Sequence, residues 1–211
     1  YKTMDNLIEY DGNSGMLNPM ADRWEEEVRT GKGKAYGMET DIRYSNGKTS
    51  VNASYTLSWS KRFFPDFHSS WYPDKFDNRH RFSVNISHKF NERIDVYASW
   101  NYHSGNRMTI PTQQVDAPVI PGVEKANEGM MIYEMPNNVS LPAYHRLDLG
   151  INFRKTTKRG FERIWNISLY NAYCRKNPFY ATVQQNPDGT FVGKAHGVFP
   201  IIPSFSYTLK F

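Results

Sequence analysis

The chain has 211 residues with 26 Lys and Arg against 21 Asp and Glu, a net charge of +5. It is rich in rings (14 Tyr, 13 Phe and 5 Trp), yet its mean hydropathy is −0.69 and it has no run of 18 apolar residues, which excludes a transmembrane helix. The basic residues are dispersed among strand ends, turns and polar faces, so the charge does not point to nucleic acid, and a single cysteine, Cys174, makes neither an internal disulfide nor a zinc cluster.

Aromatic richness and low hydropathy coexist when apolar and polar residues alternate along strands. The opening residues 1–9 read as part of a strand, so the chain is expected to be a piece of something longer. A long connection over 11–32 follows, and "NPMADRWEEEV" (18–28) within it predicts a short loop helix with Pro19 near its start. Residues 34–45 alternate weakly, with Tyr36, Met38, Ile42 and Tyr44 opposite Glu39, Asp41 and Arg43. Asn46-Gly47 then predicts a tight hairpin. In the strand 49–63, "VNASYTLSW" (51–59) sets Val51, Ala53, Tyr55, Leu57 and Trp59 against Asn52, Ser54, Thr56 and Ser58. The connection 65–77 leads to a strand over 79–90, where Phe82, Val84, Ile86, His88 and Phe90 share a face.

"FNER" (90–93) is another tight turn, and residues 93–108 rise again with Ile94, Val96, Ala98, Trp100 and Tyr102 on one side. The connection 109–142 is the longest. Strand 143–156 carries Leu147, Leu149, Ile151 and Phe153 on one face, and "TKRGF" (157–161) turns it back. The strand expected over 161–175 puts Trp165, Ile167, Leu169 and Tyr173 opposite Asn166, Ser168, Tyr170 and Ala172. A connection over 176–199 precedes a last strand, 200–211.

Connections therefore run long, short, long, short, long, short, long. Four loops of such size do not suit a compact soluble domain. They suit a transmembrane antiparallel β-barrel, with short periplasmic turns and long extracellular loops. The apolar faces would meet lipid, with aromatics near the strand ends as girdles, and the Ser, Asn, Thr, Asp and Arg faces would line a wet lumen. A β-sandwich whose apolar faces bury one another is the rival. With short turns in the periplasm, the last strand descends and the C-terminus is periplasmic. This all-β reading gives seven full strands and a partial one.

The chain closes on "SFSYTLKF", with Phe205, Tyr207, Leu209 and Phe211 apolar and alternate. That pattern resembles the C-terminal signal of outer-membrane proteins, which the barrel assembly machinery reads. Further words agree: "YGMETDIRYSNGKTSVNASYTLSWSKRFFP", "FPDFHSSWYPDKFDNRHRFSVNISHKF", "PAYHRLDLGINF", "WNISLYNAYCRKNPFY" and "FPIIPSFSYTLKF". From about residue 33 to 211 the chain resembles the late barrel strands of Bacteroidota TonB-dependent transporters. The resemblance implies the last eight or so strands of a 22-stranded barrel plugged by an N-terminal domain. It implies a location in the outer membrane, contact with lipid and lipopolysaccharide, import of a scarce nutrient (glycan, peptide, siderophore or cofactor), coupling to TonB through a region outside this chain, and a surface lipoprotein as a partner. A structural or adhesive barrel, or a passive porin, is the alternative, and a complete eight-stranded barrel competes on strand count.

The residues show no catalytic constellation: the six histidines share no metal-ligand spacing, so no enzyme, metal or cofactor is expected. Loops 65–77, 111–142 and 176–199 are the expected ligand-binding surface, with Trp71, Tyr72 and Tyr133 as contacts, beside Phe67, Met130, Met131 and Met135. "DNRHR" (77–81) reads either as a ligand or lipopolysaccharide contact or as charge pairing with Asp74 and Asp77. The polar-face charges Glu39, Asp41, Arg43, Arg81, Lys89, Asp95, Arg146, Asp148 and Arg154 are expected to pair across strands before doing anything else.

Overall fold

In the computed structural model, residues 1–10, 28–115, 130–158, 160–197 and 199–211 are described. The loop helix expected over 18–28 lies, but for its last residue, outside them, as do 116–129 of the long connection. The described residues form antiparallel sheets and no helix.

Eight strands follow one another in space as they do in sequence. They are β1 (Lys2–Tyr10), β2 (Val28–Ser45), β3 (Thr49–Phe63), β4 (His80–Asn91), β5 (Ile94–His103), β6 (Tyr144–Thr156), β7 (Glu162–Tyr170) and β8 (Ile202–Lys210). Each pairs with the next, and a two-residue strand, Tyr72–Pro73, adds to the end of β3. Among the described residues β1 and β8 do not pair with each other, so the sheet is open at both edges.

The turns hold for local reasons. Gly47 has φ +82°, and Asn46 Oδ1 accepts from the backbone N–H of Lys48 and Thr49 at 3.2 and 2.8 Å. Asn91 Oδ1 does the same for Arg93 and Ile94 at 2.8 and 3.0 Å. Gly160 (φ +83°) serves the third turn. These three connections define a turn end of the sheet, and the long connections define a loop end.

Register makes the sheet two-faced, because directly paired residues share a face. One row runs Tyr44, Val51, Ile86, Ala98, Leu149, Leu169 across six strands. The next runs Ile42, Ala53, Val84, Trp100, Leu147. On the other face Arg43, Asn52, Asn85, Ser99 and Asp148 align, as do Lys89, Asp95, Asn152, Asn166 and Ser206. Nothing in the described structure covers the apolar face: Met38 is 59% exposed, Ile42 62%, Ile167 47% and Phe205 61%. Among the described residues the buried large apolar side chains are Phe64, Tyr72 and Ile110, and none lies in the middle of the sheet.

Four boundaries differ from the sequence expectation. β2 begins at Val28, inside the connection expected over 11–32, and seven of its first eight residues, all but Lys32, pair with β1. β5, expected over 93–108, stops at His103, because Arg107 and Met108 leave the sheet to pair with Ser140 and Val139. Strand β7 stops at Tyr170 rather than 175, because Asn171 takes a left-handed conformation (φ 54°) and its buried amide donates to the carbonyls of Arg175 and Phe199. Residues 176–199 hold a hairpin of Pro178–Gln185 and Phe191–Gly197, turned at Gly189.

The polar face is tied together by side chains. Asp95 pairs with Arg154 at 3.0 Å and accepts from Asn152 at 2.7 Å. Asn166 donates to Asn152 at 2.8 Å and to the Tyr97 hydroxyl at 3.2 Å. Tyr97 reaches Asn166 on β7 from β5 by lying over Gly150 of β6, where an added Cβ would sit 2.1 Å from the ring. Gly150→Ala is therefore expected to displace Tyr97 and to cost about 1–3 kcal/mol. The cost should vanish in a Tyr97→Ala background, as measured by a double-mutant cycle on unfolding. An equal cost in both backgrounds would show that the ring does not set it.

Candidate functional site: the loop-end rim

The residues beyond β3 build a cap on the loop end. Phe64 is fully buried because its ring lies on Gly31 of β2, where a Cβ would come within 2.6 Å of Phe64 Cγ. Phe67 stacks on it with ring centroids 5.5 Å apart. Arg62 pairs with Asp74 and, at 2.9 Å, with Glu9 of β1. Asp77 is buried and accepts from the Ser60 N–H at 2.8 Å, and it pairs with Arg79 at 3.2 Å and Arg107 at 3.7 Å. Asn137 donates to the Pro73 carbonyl at 2.8 Å, and Asn138 exchanges two hydrogen bonds of 2.9 Å with the Ile110 backbone. A buried carboxylate needs such partners, because an unpaired one would lose its hydration without return.

These contacts place the charges of "DNRHR". Arg79 pairs with Asp77, as the charge-pairing reading of that word expects, whereas Asp74 pairs with Arg62, which lies outside it. Two of the polar-face charges meet the same expectation: Asp95 and Arg154 pair between neighbouring strands. Arg146 instead pairs along its own strand, with Asp148 at 2.8 Å, and donates to the hydroxyls of Tyr144 and Tyr170.

Beside the cap is an open cleft of 630 Å³, walled by Phe67, Tyr133 and Met135 and by the carboxylates of Glu9, Asp66 and Glu134. Tyr133 is 54% exposed. The mixture of rings, thioether and carboxylates suits a ligand with both apolar and polar parts. Among the described residues no group of three His, Cys, Asp or Glu is placed to hold a metal ion.

The three aromatic residues singled out from the sequence go to different places. Tyr133 lines the cleft. Trp71 does not; its ring packs on Phe63 (5.6 Å) and under the Lys34 ammonium (4.2 Å), at the loop end of the apolar face. Tyr72, expected as an exposed aromatic, is only 2% exposed, because its backbone pairs with Arg62 and its side chain is enclosed by the cap. The side chain of Met130 lies outside the described residues. Glu9, Asp66 and Glu134 were not singled out, since β1 and two distant loops meet only in the fold.

At the other end of the chain, Phe205 and Tyr207 pack on Trp165 at 5.4 and 4.5 Å. Leu209 lies opposite Arg163 in register. Phe211 is one residue beyond β8 and its side chain is exposed.

Comparison with known protein families, curated proteins and solved structures gives no match for this chain.

Burial, reinforced by the Glu9 carboxylate, pushes the Tyr72 phenol from 10 up to about 12. The folded state therefore holds the Tyr72 proton more tightly than the unfolded chain does. That contribution is complete below pH 10 and is lost as the pH rises towards 12. Limited proteolysis of residues 64–79 should rise over this interval, and the rise should be smaller in Tyr72→Phe. Identical profiles would mean that Tyr72 ionisation does not open the cap.

Proposed function

We propose that this chain is a wall segment of an outer-membrane β-barrel, the C-terminal part of a TonB-dependent importer of a scarce nutrient. The carrying observation is the uncovered apolar face. It crosses the sheet without a break, and the large buried apolar side chains found among the described residues lie in the rim cap instead. In water so large an apolar surface would drive association. Against acyl chains it needs no protein partner.

Three further observations support the reading. The opposite face is polar and hydrogen-bonded, as a wet lumen requires. Turns at one end are short, and the other end carries the long connections. Among the described residues both sheet edges are unpaired, and within a bilayer unpaired backbone groups must be satisfied by further strands. A larger barrel supplies those strands, and the sequence resemblance implies 22 in all. In this arrangement the cleft at Tyr133 opens outside the cell, and nutrient bound there enters when a plug, pulled by TonB, moves aside. The terminal Phe205, Tyr207, Leu209 and Phe211 serve the assembly machinery.

The test uses the full-length protein and a strain lacking it. Growth should fail on one limiting nutrient among iron chelates, cobalamin, peptides and glycans, and the loss should depend on the proton gradient. A strain that grows normally on all of them, although the protein is inserted, would leave a passive or adhesive barrel. For the wall itself, Leu149→Arg at mid-face should cost about 2–4 kcal/mol and reduce the heat-modifiable, membrane-inserted fraction. Asn85→Ser on the polar face should leave that fraction unchanged, and equal loss in both would contradict the assignment of faces.

A further inference from the structure

Strands β2 and β3 carry an ordered change along the apolar face towards the loop end. Val51 and Tyr44 are paired near the turn, then Ala53 with Ile42, and Leu57 with Met38. Tyr36 and Trp59 come next, their rings stacked at 5.4 Å. One step further, Lys34 lies directly opposite Lys61, and beyond them Lys32 opposite Phe63. The ladder has no register shift, so all these side chains share the face.

Lysines directly opposite each other on neighbouring strands repel. The lysines with carboxylate partners among the described residues are Lys32 (Asp5, 3.9 Å), Lys89 and Lys210. Lys34 and Lys61 have none. Lys34 is held in place, since its ammonium rests over the Trp71 ring, which itself packs on Phe63. The repulsion is therefore built into an ordered site. Next to an apolar medium it is stronger than in open water.

Distance along the strand says where that site falls. Ten residues separate Val51 from Lys61, about 33 Å of strand at about 3.3 Å per residue. At a tilt of about 40° this is a height of about 25 Å, the thickness of the apolar band of an outer-membrane barrel. The Tyr36–Trp59 pair then sits at the aromatic girdle and the lysines at the headgroups.

We propose that Lys34 and Lys61, positioned by Trp71, bind the phosphate of an outer-leaflet glycolipid headgroup. The site rests on the membrane reading of the sheet. A phosphate placed between the two ammonium groups converts their repulsion into two charge-assisted contacts. The acyl chains of the same molecule would lie along the apolar face below, against the rings of Tyr36 and Trp59. Trp71 is thus a positioning residue for a lipid rather than a nutrient contact.

The experiment takes the full-length protein from outer membranes into zwitterionic detergent. Wild type, the double variant Lys34→Gln/Lys61→Gln and the control Lys194→Gln are compared. Lys194 is an exposed residue of the 191–197 strand, away from the apolar face ladder. Co-purified glycolipid should fall roughly tenfold in the double variant and not in the control. After lipid removal, a bisphosphorylated lipid A should raise the thermal midpoint of wild type and control but not of the double variant. The dephosphorylated lipid and inorganic phosphate should leave all three unchanged. Without lipid, the double variant should be at least as stable as wild type, because the repulsion is gone. Equal glycolipid content, or equal stabilisation by lipid A, in wild type and double variant would overturn the site while leaving the barrel intact. Stabilisation by inorganic phosphate alone would overturn the glycolipid as ligand. A wild-type protein absent from the outer-membrane fraction would instead overturn the membrane reading on which the site depends.

Discussion

A paired β-strand satisfies its backbone through its neighbours and presents every second side chain to one side, and in this sheet one of those sides, apart from Trp71 at its loop end, meets no other part of the described chain. Everything else follows from that constraint. Because rows such as Ile42, Ala53, Val84, Trp100 and Leu147 lie in register over five strands, the apolar surface is continuous. A slip of one residue in any of these strands would bring a polar or charged side chain into it, Asp41 or Arg43 on β2 for example. The hydrophobic pattern fixes the register, and the register fixes the face.

The two ends of the sheet solve different problems. At the turn end, Asn46 and Asn91 satisfy exposed backbone donors within three residues, and little else is needed. At the loop end the strands have unequal lengths and long connections. There the chain builds a small packed unit instead, with Phe64 on Gly31 and with Asp74 and Asp77 held by Arg62, Arg79 and Arg107. This cap gives the neighbouring cleft a rigid wall. The polar face is rigid for a related reason. Tyr97 over Gly150 links β5 to β7, so that the sheet is braced across three strands by one ring and one missing Cβ.

Much of the fold was legible in the sequence because alternation and turn chemistry are local signals. The strands over 49–63, 79–90 and 143–156 sit within a residue of their expected bounds. The start of β2 was hidden because "VRTGKG" has two glycines and no apolar alternation; its pairing comes from β1. The hairpin inside 176–199 was hidden by weak alternation, although "NPDGT" marks its turn. The site was less legible. Tyr133 was found as a loop aromatic, but the burial of Tyr72 depends on contacts with distant residues. The carboxylates of the cleft come from β1, the cap and the third long connection, which no spacing brings together. The Lys34–Lys61 pair is equally non-local, since only the ladder sets those two side by side.

The central claim is that the apolar face meets acyl chains. Trp59, Trp100 and Trp165 all lie on that face by register. Bilayers of phospholipid brominated at successive acyl positions test it directly through tryptophan quenching. The account requires strong quenching, with Trp59 and Trp100 reached from the loop-end side of the bilayer and Trp165, near the start of β7, from the turn-end side. Fluorescence insensitive to bromine at every depth would mean that protein or water, not lipid, covers the face, and the barrel wall would have to be abandoned.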